Sequence, residues 1–303
     1  MHAEMRVRIG IAGTGRMGSA IATRLLELGR EVSVWNRTAA KAEPLVAAGA
    51  RLAATPEELA NGADIVISLL TNAAAIAVTY QGPHGLLAGE VAGKLFVEMS
   101  TVRPEIQIGL AAAVAARGAA LIDCPVGGTV GPALAGKLFG FAGGAADDVA
   151  RARPVLDQIC RRIEHLGAIG AGSRMKLAIN LPLLVYWQAV GEAMLLCRPL
   201  GLPPERVVDI FSDTSGGPNV LKTRGPMLAA ALGGQRIDPV TFDIDSIRKD
   251  LQTMIEEGHA LGSDLPVAAQ ALACFDEAAL HGLGGEDAVA LPVRWLNRSK
   301  TSN

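Results

Sequence analysis

The sequence of 303 residues has few cysteines and histidines and almost no excess of charge of either sign. Its four cysteines are far apart and form no CxxC pair, and its five histidines form no HxxxH pattern, so neither a disulfide framework nor a metal site is expected. Its net charge is only −2, and no long run of like charge occurs. Nucleic acid and anionic membrane surfaces are therefore disfavoured as partners, and a small molecule is expected instead.

The first residues, MHAEMR, lack the apolar core of a signal peptide, which predicts a cytoplasmic protein. One apolar stretch, residues 177–196, is as long as a membrane span, but it contains Asn180, Pro182, Gln188 and Glu192. Polar groups of this kind are costly when they face lipid. We therefore expect a helix that is buried between domains or subunits.

The first half of the chain alternates strand-like and helix-like segments, which is typical of a parallel sheet covered by helices. Strands are predicted at 7–13, 31–36, 50–53, 64–70, 94–100, 120–126, 137–144 and 162–167. The stretch TPEE at 55–58 predicts a helix start, with Thr55 as the capping residue and Glu58 three residues later completing a capping box. From about residue 170 the strand patterns stop, and the remainder predicts helices, the first of them long and apolar over 173–199. Further helices are predicted at 203–214, 220–232, 243–262 and 265–282. A domain boundary is expected where the pattern changes.

A glycine-rich turn, GTGRMG, follows the first predicted strand and begins a helix. In such a turn Gly13 permits the tight bend, Gly15 lets the backbone approach a pyrophosphate, and Gly18 allows the helix to pack closely on the strand. Amide groups at the start of the helix face the phosphates. The context predicts a dinucleotide site, although a tight turn without a ligand is the structural alternative. The expected contacts are Gly13, Thr14, Gly15, Arg16, Met17 and Gly18.

The end of the second strand lacks the Asp or Glu that accepts hydrogen bonds from the adenosine ribose in NAD sites. The segment reads VWNRT, with Asn36, Arg37 and Thr38 in that place. Arg37 can pair with a 2′-phosphate, and Asn36 and Thr38 can donate hydrogen bonds to it. The segment therefore predicts that NADP is preferred to NAD, while a solvated surface arginine is the structural alternative.

Lys176 and Asn180 stand four residues apart at the start of the long apolar helix, so they share one face of it. A lysine in apolar surroundings loses its proton more readily than a free one, which suits a general acid or base. Lysine in the first turns of a helix is more often a surface residue whose stem lies along apolar groups. The spacing alone leaves both interpretations open.

Five stretches occur in a characteristic order: GTGRMG at 13–18, STVRP at 100–104, DCPVGGTVGPALAGKL at 123–138, GAGSRMKLAIN at 170–180 and KDL at 249–251. Their order and approximate spacing resemble those of the β-hydroxyacid dehydrogenases, which include 3-hydroxyisobutyrate dehydrogenase, tartronate semialdehyde reductase and glyoxylate/succinic semialdehyde reductase. The resemblance covers essentially the whole chain.

The resemblance implies an α/β Rossmann domain that binds NADP over residues 1–168. Residues 169–303 would form a long interdomain helix and an all-α C-terminal domain, like that of 6-phosphogluconate dehydrogenase, for substrate binding and oligomerisation. The expected assembly is a homodimer or homotetramer, and the expected ligands are the cofactor and a small-molecule substrate.

The resemblance also assigns roles. Lys176 matches the catalytic lysine, which would protonate the carbonyl oxygen in reduction and take the proton back in oxidation. Asn180 matches a residue that holds the substrate, and Ser100 and Asp250 are further substrate-site candidates. Four residues match positions near the cofactor: Leu70, Thr71, Thr101 and Lys249.

One departure concerns the substrate loop. Many family members read DAPVSGG, in which a serine hydroxyl and backbone amides bind the substrate carboxylate, whereas this chain reads DCPVGGT. Gly127 therefore stands at the serine position, with Gly128 and Thr129 after it, and Pro132 replaces a further glycine. Backbone amides can still bind an anion, and the hydroxyl contact is lost or moves to Thr129. The loop also resembles that of sulfolactaldehyde reductases, which carry an arginine where Gly128 stands.

The leading hypothesis is an NADP(H)-dependent oxidoreductase that interconverts a short 3-hydroxy acid, or hydroxy-carboxylate, and its semialdehyde or keto form. An NADPH-dependent imine reductase is the alternative within the same architecture, and Lys176 counts against it because such enzymes generally lack a lysine at the matching position. A non-catalytic NADP-binding module is the third hypothesis, since a fold alone does not establish activity.

Overall fold

The structure is a computed structural model that describes residues 7–214 and 217–298. The chain forms two compact units, and the break between them falls between Leu177 and Ala178. The first unit contains the sheets, and the second is helical. This architecture confirms the expected fold class, an α/β Rossmann domain followed by an all-α domain. The functional boundary expected at 168/169 stays a prediction.

Six parallel strands form the main sheet of the first unit: β1 (Ile9–Ala12), β2 (Val32–Trp35), β3 (Arg51–Leu52), β4 (Ile65–Ser68), β5 (Leu95–Glu98) and β6 (Ala120–Asp123). Their order across the sheet is β3-β2-β1-β4-β5-β6. Every residue of β1, β4 and β5 is buried, which explains why these segments are apolar except for Ser68 and Glu98 at the ends of β4 and β5. The order reverses between β1 and β4, which is where open α/β sheets bind ligands.

Seven helices accompany these strands: α1 (Arg16–Glu27), α2 (Glu43–Ala47), α3 (Pro56–Gly62), α4 (Ala73–Gln81), α5 (Pro104–Ala115), α6 (Val130–Leu134) and α7 (Ala146–Ile159). Gly29, after α1, has a φ of 70°, as a helix C-terminus requires. The predicted cap of α3 is confirmed, since Thr55 accepts a hydrogen bond from the Glu58 amide at 3.1 Å. The Glu58 carboxylate accepts from the Ala54 amide, one residue before the expected partner.

A second, three-stranded sheet follows: β7 (Val126–Gly127), β8 (Leu138–Ala142) and β9 (Cys160–His165). β7 pairs antiparallel with β8, and β8 pairs parallel with β9 across the crossover helix α7. The predicted strand over 120–126 is therefore divided between the two sheets. Its last residue, Val126, begins β7.

The long helix α8 (Ala171–Cys197) contains the break between the units, and Pro182 lies within it without ending it. The helices that follow are α9 (Pro204–Ser212), α10 (Asn219–Leu232), α11 (Ile244–Ala260), α12 (Pro266–Ala278) and α13 (Ala290–Arg298). The last of these is not among the helices that the sequence patterns indicated. Within the part of the chain that the structure describes, no helix has the length and apolar character of a membrane span.

Candidate active site

The glycine-rich turn joins β1 to α1, and its three glycines meet different surroundings. Gly13 has a φ of 99°, and a Cβ there would overlap the carbonyl oxygen of Leu69. A Cβ on Gly18 would overlap the carbonyl oxygen of Gly13, whereas one on Gly15 would point into open space. Gly13 and Gly18 are therefore required for packing, and Gly15 leaves the backbone accessible to a ligand.

Asn36 connects the glycine-rich turn to the loop that follows β2. Its Oδ1 accepts a hydrogen bond from the Thr14 amide at 3.0 Å, and its Nδ2 donates to the carbonyl oxygen of Thr38 at 2.9 Å. The Asn36 side chain thus fixes the shape of this corner of the site. Arg37 and Thr38 are exposed at the same corner.

The buried hydroxyl of Thr14 lies in the turn without a hydrogen-bond partner among the described residues. A buried polar group of this kind is costly unless a ligand or water satisfies it. The accessible backbone at Gly15 and the unsatisfied Thr14 hydroxyl both fit a bound pyrophosphate, which offers oxygen acceptors.

Residues at the carboxyl ends of β4 and β5 lie together at one edge of the sheet. The Leu70 amide donates a hydrogen bond to the Ser100 Oγ at 2.7 Å. Thr71 follows Leu70 and lies two residues before the start of α4, and Thr101 follows Ser100. The structure therefore brings four predicted residues of the first unit to the edge where the glycine-rich turn also lies.

Behind Ser100 is a buried polar cluster that the sequence patterns did not predict. The Glu98 carboxyl accepts hydrogen bonds from the Ser100 amide at 3.1 Å, from the Ser100 hydroxyl and from Gln107 Nε2. The Ser68 hydroxyl lies 3.4 Å from Glu98 and 2.7 Å from the Tyr80 hydroxyl. An acidic residue inside the apolar strand sequence LFVEM was the available signal.

Burial raises the pKa of Glu98 to about 7, and the nearby Asp123 acts in the same direction. The hydrogen bonds from Ser100 and Gln107 oppose that shift. The cluster thus holds an acid that titrates near neutral pH at the edge of the candidate site. It also engages the Ser100 hydroxyl within the protein, so the substrate contact expected of Ser100 stays a prediction.

The predicted substrate loop runs from β7 into α6. Gly127 belongs to β7, Gly128 has a φ of 123°, and Thr129 precedes the first residue of α6 without capping it through its side chain. A Cβ on Gly128 would lie 2.8 Å from Leu138 Cδ2 and 3.3 Å from Pro132 Cβ. A side chain in the middle of this loop would therefore require rearrangement, which distinguishes it from loops with an arginine there.

The predicted catalytic residue, Lys176, is partly buried in the second turn of α8. Asn180 stands one turn further along the same helix. In the second unit the buried Asn180 amide lies 3.5 Å from Asp250 Oδ2, and Lys249 Nζ lies 2.5 Å from Asp250 Oδ1. Asn180, Lys249 and Asp250 therefore form one cluster, although Asn180 and Asp250 are 70 positions apart in the sequence.

Family comparisons match nearly the whole chain. A model described as the NAD binding domain of 6-phosphogluconate dehydrogenase matches residues 8–167. A second, described as NAD-binding of NADP-dependent 3-hydroxyisobutyrate dehydrogenase, matches residues 170–295.

Among curated proteins, the chain is 35% identical over 273 residues to 3-hydroxyisobutyrate dehydrogenase of Pseudomonas aeruginosa, covering 88% of this chain and 90% of that one. It is 32% identical to 3-sulfolactaldehyde reductase of Escherichia coli, covering 92% of each. Among solved structures, Mycobacterium tuberculosis 3-hydroxyisobutyrate dehydrogenase with L-serine matches with a TM-score of 0.82 at 27% identity, over 95% of this chain and 98% of that one. A reductive aminase from Aspergillus terreus with NADPH matches with a lower TM-score of 0.64 at 26% identity, over 95% and 98%.

The fold and the glycine-rich turn define a nicotinamide-dependent oxidoreductase. The chain belongs to the β-hydroxyacid dehydrogenase family, and the resemblance carried by the five motifs is confirmed.

Proposed function

We propose that the protein is an NADP(H)-dependent oxidoreductase that interconverts a short 3-hydroxy acid, or a related hydroxy-carboxylate, and its semialdehyde or keto form. The observation that carries the proposal is the glycine-rich turn between β1 and α1 combined with a lysine in the second turn of α8. Both belong to a chain whose two halves match the family along nearly their full length.

Arg37 and Thr38 support the choice of NADP. An acid at position 36 would repel a 2′-phosphate, whereas the guanidinium of Arg37 can donate two parallel hydrogen bonds to one. The bond from Asn36 to the Thr38 carbonyl holds these two residues beside the glycine-rich turn. Asn36 thus contributes mainly by shaping the corner.

A nicotinamide cofactor held at the glycine-rich turn would supply or accept the hydride. In the reductive direction Lys176 donates a proton to the carbonyl oxygen of the substrate, and in the oxidative direction it takes the proton from the hydroxyl. The 127–129 loop would bind the anionic end of the substrate through its backbone amides, which do not depend on side chains. Asn180 would hold the reacting end by hydrogen bonding.

The test is the initial rate of NADPH oxidation with glyoxylate, succinic semialdehyde, methylmalonate semialdehyde and tartronate semialdehyde. We expect turnover by the wild type and a loss of roughly a thousandfold in Lys176→Ala, with NADPH affinity unchanged. Lys222→Ala, which removes an exposed lysine from α10, is the matched control. Unchanged turnover in Lys176→Ala would remove that residue from the mechanism.

Imine reduction is the second candidate, because the reductive aminase shares the fold over most of both chains. Its lower TM-score and the presence of Lys176 favour carbonyl reduction. A cyclic imine in the same assay decides between them. Faster reduction of the imine than of every aldehyde acid would reverse the ranking.

We also propose that the chain assembles as a homodimer or homotetramer. Large apolar side chains are exposed in the second unit, including Leu196 at 82% and Leu280 at 86%. Apolar surface marks an interface where such side chains are contiguous, and the family resemblance implies an assembly. Light scattering coupled to size exclusion would test the assembly, and a monomer at micromolar concentration would contradict it.

A further inference from the structure

The carboxyl group of Asp123 lies at the N-terminus of α8. Its Oδ1 accepts a hydrogen bond from the Gly170 amide, and its Oδ2 accepts one from the Ser173 amide, each at 2.7 Å. Asp123 is the last residue of β6 and is fully buried. Both oxygens accept from N–H groups, and the positive end of the helix dipole favours a negative charge, so the arrangement suits a carboxylate. Burial raises the pKa of Asp123, and the hydrogen bonds from Gly170 and Ser173 oppose that shift.

Glycines on both sides make this attachment close. A Cβ on Gly143 would overlap Asp123 Oδ1, and a Cβ on Gly172 would overlap the Phe141 carbonyl oxygen and lie 2.9 Å from the Asp123 carbonyl oxygen. Asp123 and Gly143 also exchange two backbone hydrogen bonds, at 3.0 and 2.8 Å. The first turn of α8 is therefore held directly against the ends of β6 and β8.

Lys176 follows Ser173 by three residues, which is about 4.5 Å along the axis of a helix. The position of its backbone is thus set by the turn that Asp123 holds. Asp123 is also the first residue of the segment that continues through β7 into the 127–129 loop. One carboxylate therefore links the predicted proton donor to the predicted substrate loop.

We propose that Asp123 is a positioning residue for the reaction. It fixes the position and direction of the first turn of α8 relative to the end of β6, and thereby aligns Lys176 with the 127–129 loop for proton transfer. It acts through these elements and does not contact the substrate. The proposal rests on the proposed function of Lys176.

Asp123→Asn tests the proposal with little change in the shape of the side chain. The asparagine amide keeps one oxygen acceptor, but its NH2 group replaces the other oxygen and faces an N–H donor, so one of the two hydrogen bonds is lost. We expect kcat to fall roughly ten- to a hundredfold, while the substrate KM and the NADPH Kd stay within about threefold. The solvent deuterium isotope effect on kcat should rise, because proton delivery becomes slower. A purely structural defect would not increase that isotope effect.

Thr55→Ala is the matched control, since it removes the cap of α3 in the same unit. It should lower thermal stability and leave kcat within about twofold of the wild type. Gly143→Ala is the second test variant, because its methyl group meets the Asp123 carboxyl without removing the charge; the methyl group also lies 2.8 Å from the Ala168 carbonyl oxygen. It should reproduce the kinetic pattern of Asp123→Asn, and it provides a second measurement if that variant does not fold.

Hydrogen exchange tests the anchoring of α8 by Asp123 separately from the effect of Asp123 on the reaction. The amides of Gly170 and Ser173 should exchange at least tenfold faster in Asp123→Asn than in the wild type, and equal rates would overturn the anchoring. Faster exchange with unchanged kcat and isotope effect would overturn the positioning role. A wild type that reduces no substrate would instead refute the proposed function, while the exchange experiment would still test the anchoring.

Discussion

The hydroxyl of Ser100 and the carboxyl of Glu98 form a buried hydrogen bond at the carboxyl end of β5. The same Ser100 oxygen accepts the Leu70 amide at 2.7 Å, so the pair joins the ends of two neighbouring strands. A buried acid thereby becomes part of the edge where the glycine-rich turn lies.

Glu98 should make stability depend on pH. Its pKa is raised from 4.5 to about 7 in the folded protein, so the folded state binds the proton more tightly than the unfolded state does. The proton on Glu98 therefore stabilises the folded state. This contribution to the free energy of unfolding is fully present below pH 4.5, is lost as pH rises to about 7, and amounts to at most about 3 kcal/mol. When Glu98 is protonated, rotation of the Gln107 amide would offer its Oε1, which has no partner among the described residues, as the acceptor.

Urea unfolding of the wild type and Glu98→Gln at pH 5 and pH 8 would measure this effect. The free energy of unfolding of the variant should fall less than that of the wild type between these two pH values, because its amide does not titrate. Glu90→Gln, at an exposed position, is the control. Parallel curves for the wild type and Glu98→Gln would contradict the prediction.

Arg37→Ala should weaken NADPH binding roughly ten- to a hundredfold and leave NADH binding nearly unchanged, because only NADPH carries the 2′-phosphate. Fluorescence titration with both nucleotides measures the two affinities. Lys41→Ala, which removes an exposed cation four residues away, is the control. An equal loss of affinity for both nucleotides would show that Arg37 does not bind the 2′-phosphate.

Asn36→Asp should shift the preference towards NADH. Aspartate keeps the acceptor for the Thr14 amide but loses the donor to the Thr38 carbonyl and adds a negative charge beside the expected phosphate. The ratio of kcat/KM for NADPH to that for NADH should fall by roughly tenfold or more. A constant ratio would place the phosphate away from this corner.

Two glycines of the glycine-rich turn should have different roles, Gly15 in cofactor binding and Gly18 in stability. Gly15→Ala places its methyl group in open space, so thermal stability should hold while NADPH affinity falls as the methyl blocks the pyrophosphate. Gly18→Ala should destabilise the protein by about 1–3 kcal/mol, because its methyl meets the Gly13 carbonyl oxygen. Calorimetry and nucleotide titration of the two variants check this. A fully stable Gly18→Ala would refute the packing argument.

The stability of the second unit should depend on the carboxylate of Asp287. Its carboxylate accepts hydrogen bonds from the Thr241 amide at 3.0 Å and from Arg224, whose guanidinium lies 2.5 Å from it and also stacks over Trp187. Asp287→Ala should lower the free energy of unfolding by about 3–5 kcal/mol. The reason is that it leaves the Arg224 guanidinium, whose side chain is only 12% exposed, without its carboxylate.

The comparison for that variant is Arg236→Ala, which removes a pair in which the arginine is 80% exposed. Pairs of that kind contribute about 0–1 kcal/mol. Chemical unfolding of both variants measures the difference, and similar losses would mean that Asp287 is not central to the unit.

Patterns of apolar residues were sufficient to predict the main sheet and the change to an all-helical region, because burial on both faces imposes continuous apolar strands. They did not indicate α13. The long apolar helix predicted over 173–199 is confirmed as α8, and Pro182 lies within it. Most positions of the candidate site came from motifs, and their roles stay predictions.

The sequence by itself determined the local features, namely the glycine-rich turn, the absence of an acid after β2, the capping residue Thr55 and the spacing of Lys176 from Asn180. Each depends on neighbours within a few residues along the chain. Only the tertiary structure decided that Asn36 binds the turn, that Glu98 holds Ser100 and Gln107 in one buried cluster, and that Asp123 anchors a helix 50 residues later. The physical reason is that a buried polar group takes whichever partner the packing brings within hydrogen-bond distance, and that partner need not be close in sequence.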